Sequence, residues 1–436
     1  MNPVSAWRAR GIARDIARHA ALLERATDPA ARAGLQLDRL NASWAGSLRR
    51  SGFARAMRAR FDLPDRFDSW VNFDRTVPVF GKAELRDAIA AAGAVPVDGL
   101  VWRATGGTTA EPFRFPVFAD EAAATTAPMW HARRGLGIEP DSRLFLVWGH
   151  SHLLGTGWKG RMRGLRRTLA DRALGYHRFS AYDLEPAAME RAAQSLLAFR
   201  PAWVLGYSFA LDRLARIAEP RAADFARLEL RAVVATAEAL PFADSRDIIE
   251  RVFGAPLVME YGAVETGPIA YEDRAGGYRP FWTHFRLECE ADPDSGRHAL
   301  LVTCLFERAL PLLRYRIGDL VEPRADGSPL SEGFAAIRGR GNDAVRLAGG
   351  VTIHSEAISH AVRDMPGIRA YQVVVNAGSG AGTLDYESDV PLSDDVVETV
   401  RNRLCRIHPE LGRMPLRRVE AVRVTAAGKR PMVVEV

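Results

Sequence analysis

The chain of 436 residues is poor in cysteine and in lysine, and it lacks any long apolar run. Its three cysteines, Cys289, Cys304 and Cys405, are odd in number and widely spaced, which argues against a disulfide framework and a zinc site. No segment approaches the ~18 apolar residues of a membrane-spanning helix. The Arg-rich N-terminus is interrupted by acidic residues, and no apolar segment follows it as in a secretory signal. We therefore predict a cytoplasmic protein without a membrane partner.

The scarcity of lysine changes what the basic composition means. Lysine and arginine together number 59, and only Lys82, Lys159 and Lys429 are lysines. Such a skew in an alanine-rich chain is typical of GC-rich codon usage. The net charge of +6 and the pI near 9.4 are therefore weak evidence for binding of a polyanion, and we predict no nucleic-acid partner.

The order of predicted elements favours an α/β fold. Residues 1–60 contain little glycine or proline and are predicted to be helical. Farther on, strand-like runs at 143–148, 202–207, 230–235 and 256–261 alternate with helical stretches at 120–135, 186–199, 209–219 and 242–253. This alternation predicts parallel sheets covered by helices.

The C-terminal third has a different pattern. Residues 297–322 contain short strands separated by proline and glycine turns, which predicts a small barrel-like part. A loop rich in glycine, arginine and asparagine is predicted at 338–343, and we place a hinge there. The predicted domains are a large N-terminal domain, 1–341, and a small mobile α+β C-terminal domain, 342–436.

Glycine and threonine are concentrated between the strand-like segments 101–104 and 113–117. The residues are Thr105, Gly106, Gly107, Thr108 and Thr109. Glycines let backbone N–H groups approach phosphate oxygens, and threonine hydroxyls add donors. No Gly-Lys-Ser/Thr follows, so this is not a Walker A loop. Taken alone, such a segment is more often an ordinary turn.

Three more segments place functional side chains near the ends of predicted elements. Tyr261 can stack on a base, and Glu265 can hold a divalent cation. Asp319 can accept hydrogen bonds from two ribose hydroxyls, and Arg340 can lie near a phosphate or a ribose. The alternatives are a solvated glutamate and a surface ion pair between the segments of Asp319 and Arg340.

The last segment contains Gly428 and Lys429, near the C-terminus. A lysine brought to an α-phosphate offsets the charge that develops there in the transition state. Because only three of 59 basic residues are lysines, chance places a lysine at a given basic position about 5% of the time. Lys429 is therefore more informative than a Gly-Lys pair in an ordinary chain.

These five segments, in this order, resemble the adenylate-forming superfamily of acyl-CoA ligases, luciferases and peptide-synthetase adenylation domains. The resemblance runs from about Trp102 to the C-terminus. Residues 77–82, 205–211 and 311–319 are similar to the phenylacetate–CoA ligase-like branch. Within that branch, the compact members described as capsular-polysaccharide-synthesis-like look nearest.

The resemblance implies an AMP-forming carboxylate ligase. Such an enzyme uses ATP and Mg²⁺ to activate a carboxylic acid as its acyl-AMP, with release of pyrophosphate. The acyl group then passes to a thiol, either of coenzyme A or of a carrier protein, and the alternative acceptor is an amine.

Functional positions of the family carry over onto matching residues. Thr105, Gly106, Gly107, Thr108 and Thr109 fall at the phosphates, and Glu265 falls at Mg²⁺. Tyr261 and Gly262 fall at the adenine ring, with Ala237 and Glu238 along its edge. Asp319 falls at the ribose with Arg340 beside it, Asn342 at the hinge, and Lys429 at the adenylation lysine. The candidates for the acyl pocket are Trp130, Trp148, His150, Tyr207 and Val264.

Many relatives have a Cys/His metal cluster after the segment of Tyr261. This chain has other residues there, so we predict no structural zinc.

The basic stretch 159–172 allows two interpretations. It is either a solvated Arg-rich helix or a docking surface for an anionic acceptor, namely the phosphates of coenzyme A or an acidic carrier protein. Nucleic acid is disfavoured because no aromatic side chains are interleaved with these charges.

Two rival functions remain open. Residues 206–210 form a Gly-x-Ser-x-Ala sequence around Ser208, as in the nucleophile elbow of a serine hydrolase, although no Asp-then-His pair stands out downstream. The second rival is a non-catalytic protein that binds a nucleotide or an acyl-adenylate.

Overall fold

The structure is a computed structural model. It describes residues 3–92, 99–104, 113–148, 157–181, 186–237, 239–240, 244–274, 276–291, 297–340, 344–347, 352–354, 358, 361–362, 365–376, 382–424 and 430–436.

The N-terminal segment is helical, as predicted, and side-chain caps set its internal boundaries. It contains α1 (Pro3–Glu24), α2 (Pro29–Arg50) and α3 (Gly52–Arg60). Asp28 caps α2 and Ser51 caps α3, each by accepting a hydrogen bond from a backbone N–H of the first turn. These caps divide the predicted helical region into separate helices.

The remaining helices follow in chain order. They are α4 (Trp70–Thr76), α5 (Lys82–Ala91), α6 (Thr126–Gly135), α7 (Gly157–Ala173), α8 (Pro186–Phe199), α9 (Ser208–Ala218), α10 (Ala222–Ala226), α11 (Ser245–Phe253), α12 (Asp394–Ile407) and α13 (Pro409–Gly412). Among the helices that the structure describes, none combines the length and the apolar character needed to cross a membrane.

The strands form four sheets in the described part of the chain. They are β1 (Leu100–Ala104), β2 (Arg114–Phe118), β3 (Leu144–Val147), β4 (Tyr176–Phe179), β5 (Trp203–Tyr207), β6 (Val233–Thr236), β7 (Leu257–Ala263), β8 (Gly267–Glu272), β9 (Tyr278–Pro280), β10 (Phe285–Ala291), β11 (His298–Cys304), β12 (Tyr315–Pro323), β13 (Phe334–Arg340), β14 (Ala344–Arg346), β15 (Thr352–His354), β16 (Ala370–Val375), β17 (Gly382–Glu387), β18 (Leu416–Val419) and β19 (Val433–Glu435). The largest sheet has the order β10-β11-β12-β13-β9-β8-β7-β6-β5-β3-β4.

The predicted α/β alternation is confirmed in one half of the large sheet. There β4, β3, β5, β6 and β7 run parallel, and α8, α9 and α11 lie in the connections between strands. All residues of β3 and β6 are buried, as expected for parallel strands covered on both faces. The four predicted strands end within three residues of the observed ones.

The other half of the large sheet is antiparallel and curves back on itself. Strands β8, β9 and β13 lie between β7 and β12 in the sheet, yet the hydroxyl of Tyr261 in β7 lies 2.7 Å from Asp319 in β12. Because neighbouring strands are about 4.8 Å apart, this contact requires strong curvature. The prediction of a barrel-like part is therefore confirmed.

One loop prediction is partly wrong. Residues Gly339 and Arg340 belong to β13, where Arg340 pairs in register with Asp319 of β12. Glycine and arginine at 338–343 indicated a loop, but the ladder with β12 extends the strand to Arg340. Residues 341–343 lie outside the described part.

The C-terminal part has its own small sheet and core. Strands β18, β17, β16 and β19 are neighbours in that order, and α12 and α13 lie between β17 and β18 along the chain. Val373, Leu384, Val400 and Leu411 are fully buried in this core. The α+β character is as predicted, while the boundary at 341/342 and the mobility stay predictions.

Candidate active site

The carboxyl ends of the parallel strands bring several predicted residues to one edge of the sheet. Trp148 follows β3, Tyr207 ends β5 and Ala237 follows β6. The rings of Trp148 and Tyr207 meet edge to face, with centroids 4.9 Å apart. In parallel α/β sheets, ligands bind at this edge.

Ala237 has an unusual backbone at this edge. Its φ is +75°, in the left-handed region that a residue with a Cβ rarely adopts. Such a conformation costs on the order of 1 kcal/mol or more and is concentrated at ligand sites. The strained turn lies where the sequence predicts contact with a base, and the predicted neighbour Glu238 lies outside the described residues.

Tyr261 and Asp319 form a buried pair. The phenol hydroxyl donates to Oδ2 of Asp319 at 2.7 Å, and both side chains are less than a tenth exposed. The ring of Tyr261 also packs against Tyr278 and Phe334, with centroids 6.3 and 6.2 Å away. These contacts fix the carboxylate and the ring, and the predicted roles at ribose and adenine stay predictions.

Glu265 is held by a second tyrosine from β12. Tyr315 donates to its Oε1 at 3.1 Å, and Glu265 is only 4% exposed. The ammonium of Lys82, at the start of α5, lies 3.9 Å from the same oxygen. The carboxylate of Glu265 is thus buried next to one hydroxyl donor and one cation.

The backbone around Glu265 is fixed by a buried ion pair. Arg308 donates to the carbonyl of Glu265 at 2.6 Å and lies 3.0 Å from the carboxylate of Glu121. Glu121 in turn accepts hydrogen bonds from the backbone N–H groups of Phe118 and Ala309. The turn that presents Glu265 is thus tied to β2 and to the segment before β12.

A cavity of about 150 Å³ opens beside Glu265. Its lining includes Arg103 of β1, Glu121, Val264 and Arg308. Val264 is 39% exposed, so this predicted pocket residue faces open space. The cavity lies between the hairpin of β1 and β2 and the Glu265 turn.

Glu265 fits a magnesium ion chemically. Mg²⁺ prefers oxygen ligands and usually takes only one or two carboxylates from the protein, with phosphates and water completing its shell. Among the described residues, no group of three His, Cys, Asp or Glu side chains is positioned to hold a metal ion. A single buried carboxylate is the arrangement expected where a substrate supplies the other ligands.

Glu260 is fixed away from the site. Arg133 donates to it at 3.0 Å, and the guanidinium lies between the rings of Trp130 and Trp203, 5.0 and 4.9 Å from their centroids. Burial alone would lower the pKa of Arg133, but Tyr271 and Glu260 outweigh it and raise that pKa. Trp130 was a pocket candidate and is instead part of the core, because its ring is almost completely buried against these partners.

Sequence reasoning missed Lys82, Arg308 and Tyr315. Lys82 had a usable signal, because it is one of three lysines and ends the 77–82 segment. Tyr315 lies in the same segment as Asp319, so the sequence offered a reason to consider it as a site residue. Arg308 had no signal in a chain so rich in arginine.

The serine of the hydrolase alternative is inaccessible. Ser208 starts α9 directly after β5, so the strand-to-helix turn is present as that alternative requires. Its side chain is completely buried, however, which leaves the hydroxyl out of reach of an ester.

The C-terminal part contacts the large part next to this turn. The guanidinium of Arg430 lies 4.3 Å from the centroid of Phe209, in the first turn of α9, and 3.6 Å from Glu387 of β17. Such a cation–π contact is worth about 0.5–2 kcal/mol. It brings the residue after Lys429 to the carboxyl edge of the large sheet.

Several predicted site residues lie outside the described part of the structure. They are Thr105, Gly106, Gly107, Thr108, Thr109, His150, Glu238, Asn342 and Lys429. Arg340 is described in its backbone only. Gly262 lies in β7, where an added Cβ would fall 2.4 Å from the carbonyl oxygen of Gly267, so the β7–β8 approach requires glycine there.

Comparison with curated proteins finds two relatives of interest. The Phenylacetate-coenzyme A ligase of Escherichia coli (strain K12) is 25% identical over 372 residues, covering 81% of this chain and 82% of that protein. Protein CapK of Staphylococcus aureus is 29% identical over 143 residues, and the match spans about a third of its length (31%) and 33% of this chain. No family model matches the chain.

Comparison with solved structures confirms the fold. A 2-hydroxyisobutyryl-CoA ligase in its postadenylation state superposes with a TM-score of 0.69 at 20% identity, covering 95% of this chain and 91% of that one. The same ligase in its thioesterification state gives 0.58. The amide bond synthetase McbA from Marinactinospora thermotolerans gives 0.53 at 19% identity, covering 81% and 78%. The chain is thus similar in sequence to a phenylacetate–CoA ligase and has the fold of adenylate-forming ligases.

Proposed function

We propose that the protein activates a carboxylic acid with Mg·ATP as its acyl-AMP and then transfers the acyl group to a thiol. One observation carries the proposal: the segments of β7 and β12 hold two buried carboxylates through two reciprocal tyrosine hydrogen bonds. Asp319 and Glu265 are thereby presented from one curved sheet, as recognition of a ribose and of a phosphate-bound cation requires.

Each carboxylate has a distinct role in this proposal. Asp319 accepts hydrogen bonds from the ribose hydroxyls, and Tyr261 both orients that carboxylate and offers a ring face to adenine. Glu265 holds Mg²⁺, which when bound neutralises phosphate charge. Ala237 and Glu238 lie along the base edge, and the threonines and glycines of 105–109 surround the phosphates.

The first half-reaction forms one bond and breaks one. A carboxylate oxygen of the acid attacks the α-phosphorus, the bond from that phosphorus to the bridging oxygen breaks, and pyrophosphate leaves. Lys429 offsets the charge that develops on the α-phosphate. The contact of Arg430 with Phe209 supports this placement of Lys429, because it holds the adjacent residue against the large part.

The second half-reaction needs a different group at the same place. The sulfur of coenzyme A or of a carrier protein attacks the acyl carbonyl, its proton is lost, and AMP leaves. We propose that 342–436 rotates about Asn342 between the two steps, relative to 1–341. The higher TM-score to the postadenylation state, 0.69 against 0.58, supports the view that this structure represents the first arrangement.

An amine is the second candidate acceptor. The likeness to an amide bond synthetase supports it, although coverage and TM-score are lower than for the CoA ligase. Supplying coenzyme A or a set of amines to the preformed acyl-AMP enzyme distinguishes them, since AMP release accelerates only with the true acceptor.

ATP–pyrophosphate exchange with a panel of carboxylic acids tests the activation step. We expect exchange that depends on one class of acid, and Lys429→Ala should reduce it about 100-fold or more while ATP still binds. Lys159→Ala is the matched control, because it removes a lysine on α7 and should leave exchange unchanged. ATP binding without exchange for any acid would favour the non-catalytic alternative, and full activity of Lys429→Ala would refute the lysine's role.

A further inference from the structure

One face of α7 carries apolar side chains into solvent. Trp158 is 75% exposed, Leu165 54% and Leu169 55%. At 100° per residue these positions, with Met162, fall in a stripe roughly 60° wide along the helix. In the described part of the chain, the two leucines with such high exposure both lie in this stripe.

The stripe points away from the body of the protein. Helix α7 packs against the edge strand β4, and Asp171 forms paired hydrogen bonds with Arg178 of β4 at 2.9 and 3.1 Å. Asp171 is almost completely buried and lies about 150° around the helix from the stripe. The contact that anchors α7 therefore leaves the apolar side chains facing outward.

Basic residues flank the stripe on both sides. By helical position, Arg163 and Arg166 lie to one side of the stripe and Arg172 lies to the other. Asp171 is the single acidic residue in the α7 sequence, and Arg178 already neutralises it. The exposed surface of α7 is thus strongly positive around an apolar centre.

We propose that α7 docks the protein on an anionic lipid surface. An amphipathic helix of this composition lies in the plane of the headgroups, with tryptophan and leucine inserted and arginines against the phosphates. Arginines lie on both sides of the apolar stripe. A flat anionic surface can contact the arginines of both sides at once, whereas an acidic protein segment would contact those of one side.

This proposal revises the expectation of no membrane partner. That expectation rested on the absence of a long apolar run, which a spanning helix requires and a surface helix does not. The interpretation of 159–172 as a solvated helix changes for the same reason, since solvation alone does not account for an exposed apolar stripe. The proposal does not depend on the ligase activity.

Vesicle co-sedimentation of the full-length protein tests it directly. We expect the protein to bind vesicles that contain phosphatidylglycerol and to remain unbound with phosphatidylcholine alone. Added salt should weaken the binding because it screens exposed charges. Failure to bind the anionic vesicles at low salt overturns the proposal.

Helix α1 supplies matched control variants. Trp7 is 77% exposed, similar to Trp158, but the positions next to it on its helix face are Arg10, Gly11 and Arg14. Trp158→Ser should weaken partitioning to anionic vesicles about tenfold, since it removes the largest apolar side chain of the stripe. Trp7→Ser should leave it unchanged, and equal losses in the two variants would contradict a role of α7.

Charge reversal separates the lipid surface from a protein partner. Arg163→Glu/Arg166→Glu should abolish sedimentation with anionic vesicles, while Arg10→Glu/Arg14→Glu, with the same change in net charge, should retain most of it. If the wild-type protein binds immobilised polyglutamate but not the vesicles, the partner is an acidic protein segment and the lipid proposal is wrong. Circular dichroism of each variant establishes that it is folded.

Discussion

Glu265 and Asp319 are held in the same way but surrounded differently. Each is buried, and each accepts a hydrogen bond from a tyrosine on the other's segment. Around Glu265 there are cations, with Lys82 at 3.9 Å and Arg308 on its own carbonyl. Around Asp319 there are rings, since Tyr261 packs against Tyr278 and Phe334.

The difference separates two kinds of recognition. A dication that binds next to Glu265 is attracted by this carboxylate and repelled by the ammonium of Lys82. A carboxylate surrounded by aromatic rings suits a nucleoside, because the carboxylate accepts hydrogen bonds from neutral hydroxyls and the rings can stack on a flat base. We therefore propose that the same tyrosine contact serves metal binding in one region and nucleoside binding in the other.

The largest expected effect comes from removing the charge of Glu265. Glu265→Gln keeps the shape of the side chain but not its charge, so Mg²⁺ should bind much more weakly. We expect exchange to fall about 100-fold at low Mg²⁺ and to recover partly at high Mg²⁺. A magnesium titration of ATP–pyrophosphate exchange measures this, with Glu307→Gln, an exposed glutamate paired with Arg50, as the control. An unchanged Mg²⁺ requirement would refute the metal role.

Asp319→Asn should act on the nucleotide rather than on the metal. A hydrogen bond to a charged group is worth ~1.5–3 kcal/mol, so ATP affinity should fall about tenfold or more. Calorimetry with ATP measures the loss, and Asp326→Asn, in an exposed turn, is the control. Unchanged affinity would show that the ribose is bound elsewhere.

Lys82→Met should move the metal requirement in the opposite direction. Removing a positive charge 3.9 Å from Oε1 of Glu265 relieves repulsion of the dication. We expect half-maximal exchange at a Mg²⁺ concentration about three- to tenfold lower, whatever happens to the maximal rate. Lys159→Met should leave this concentration unchanged, and a higher requirement in Lys82→Met would indicate that the lysine assists metal binding.

The smallest effects should come from removing the two tyrosine hydroxyls, and each removal should change a different property. Tyr315→Phe removes a donor from Glu265 and should raise the Mg²⁺ requirement a few-fold, with ATP affinity unchanged. Tyr261→Phe removes the donor to Asp319 and should weaken ATP binding a few-fold, with the Mg²⁺ requirement unchanged. If both variants lose both properties equally, the two regions act as one unit and the comparison fails.

The sequence predicted the parallel half of the fold well because its signal is local. Apolar runs bounded by helical stretches are visible in the chain, and the strands lie where those runs are. The contact of Tyr261 with Asp319 had no such signal, because it depends on how a sheet curves over three intervening strands. The pattern of apolar residues along the sequence predicts where the strands lie. The curvature of the sheet, which brings Tyr261 to Asp319, depends on long-range packing.

The sequence singled out candidate site residues where recognisable segments mark them. Tyr261, Glu265 and Asp319 were each singled out from the sequence, and the structure brings each into contact with a partner. Trp130 was misassigned because an aromatic residue in a helix near the site gives no sign of which way it faces. Arg340 was placed in a loop because composition does not reveal its ladder with Asp319.

The cysteines allow the proposed rotation of the C-terminal part to be measured by site-specific labelling. Cys405, on α12 of the C-terminal part, is exposed. Burial raises the pKa of Cys289, and burial raises that of Cys304 to about 11, so neither presents much thiolate near neutral pH. A maleimide dye should therefore attach first to Cys405 in the unaltered protein. The label would report by fluorescence when the C-terminal part changes its orientation as ATP, the acid and the acceptor are added in turn.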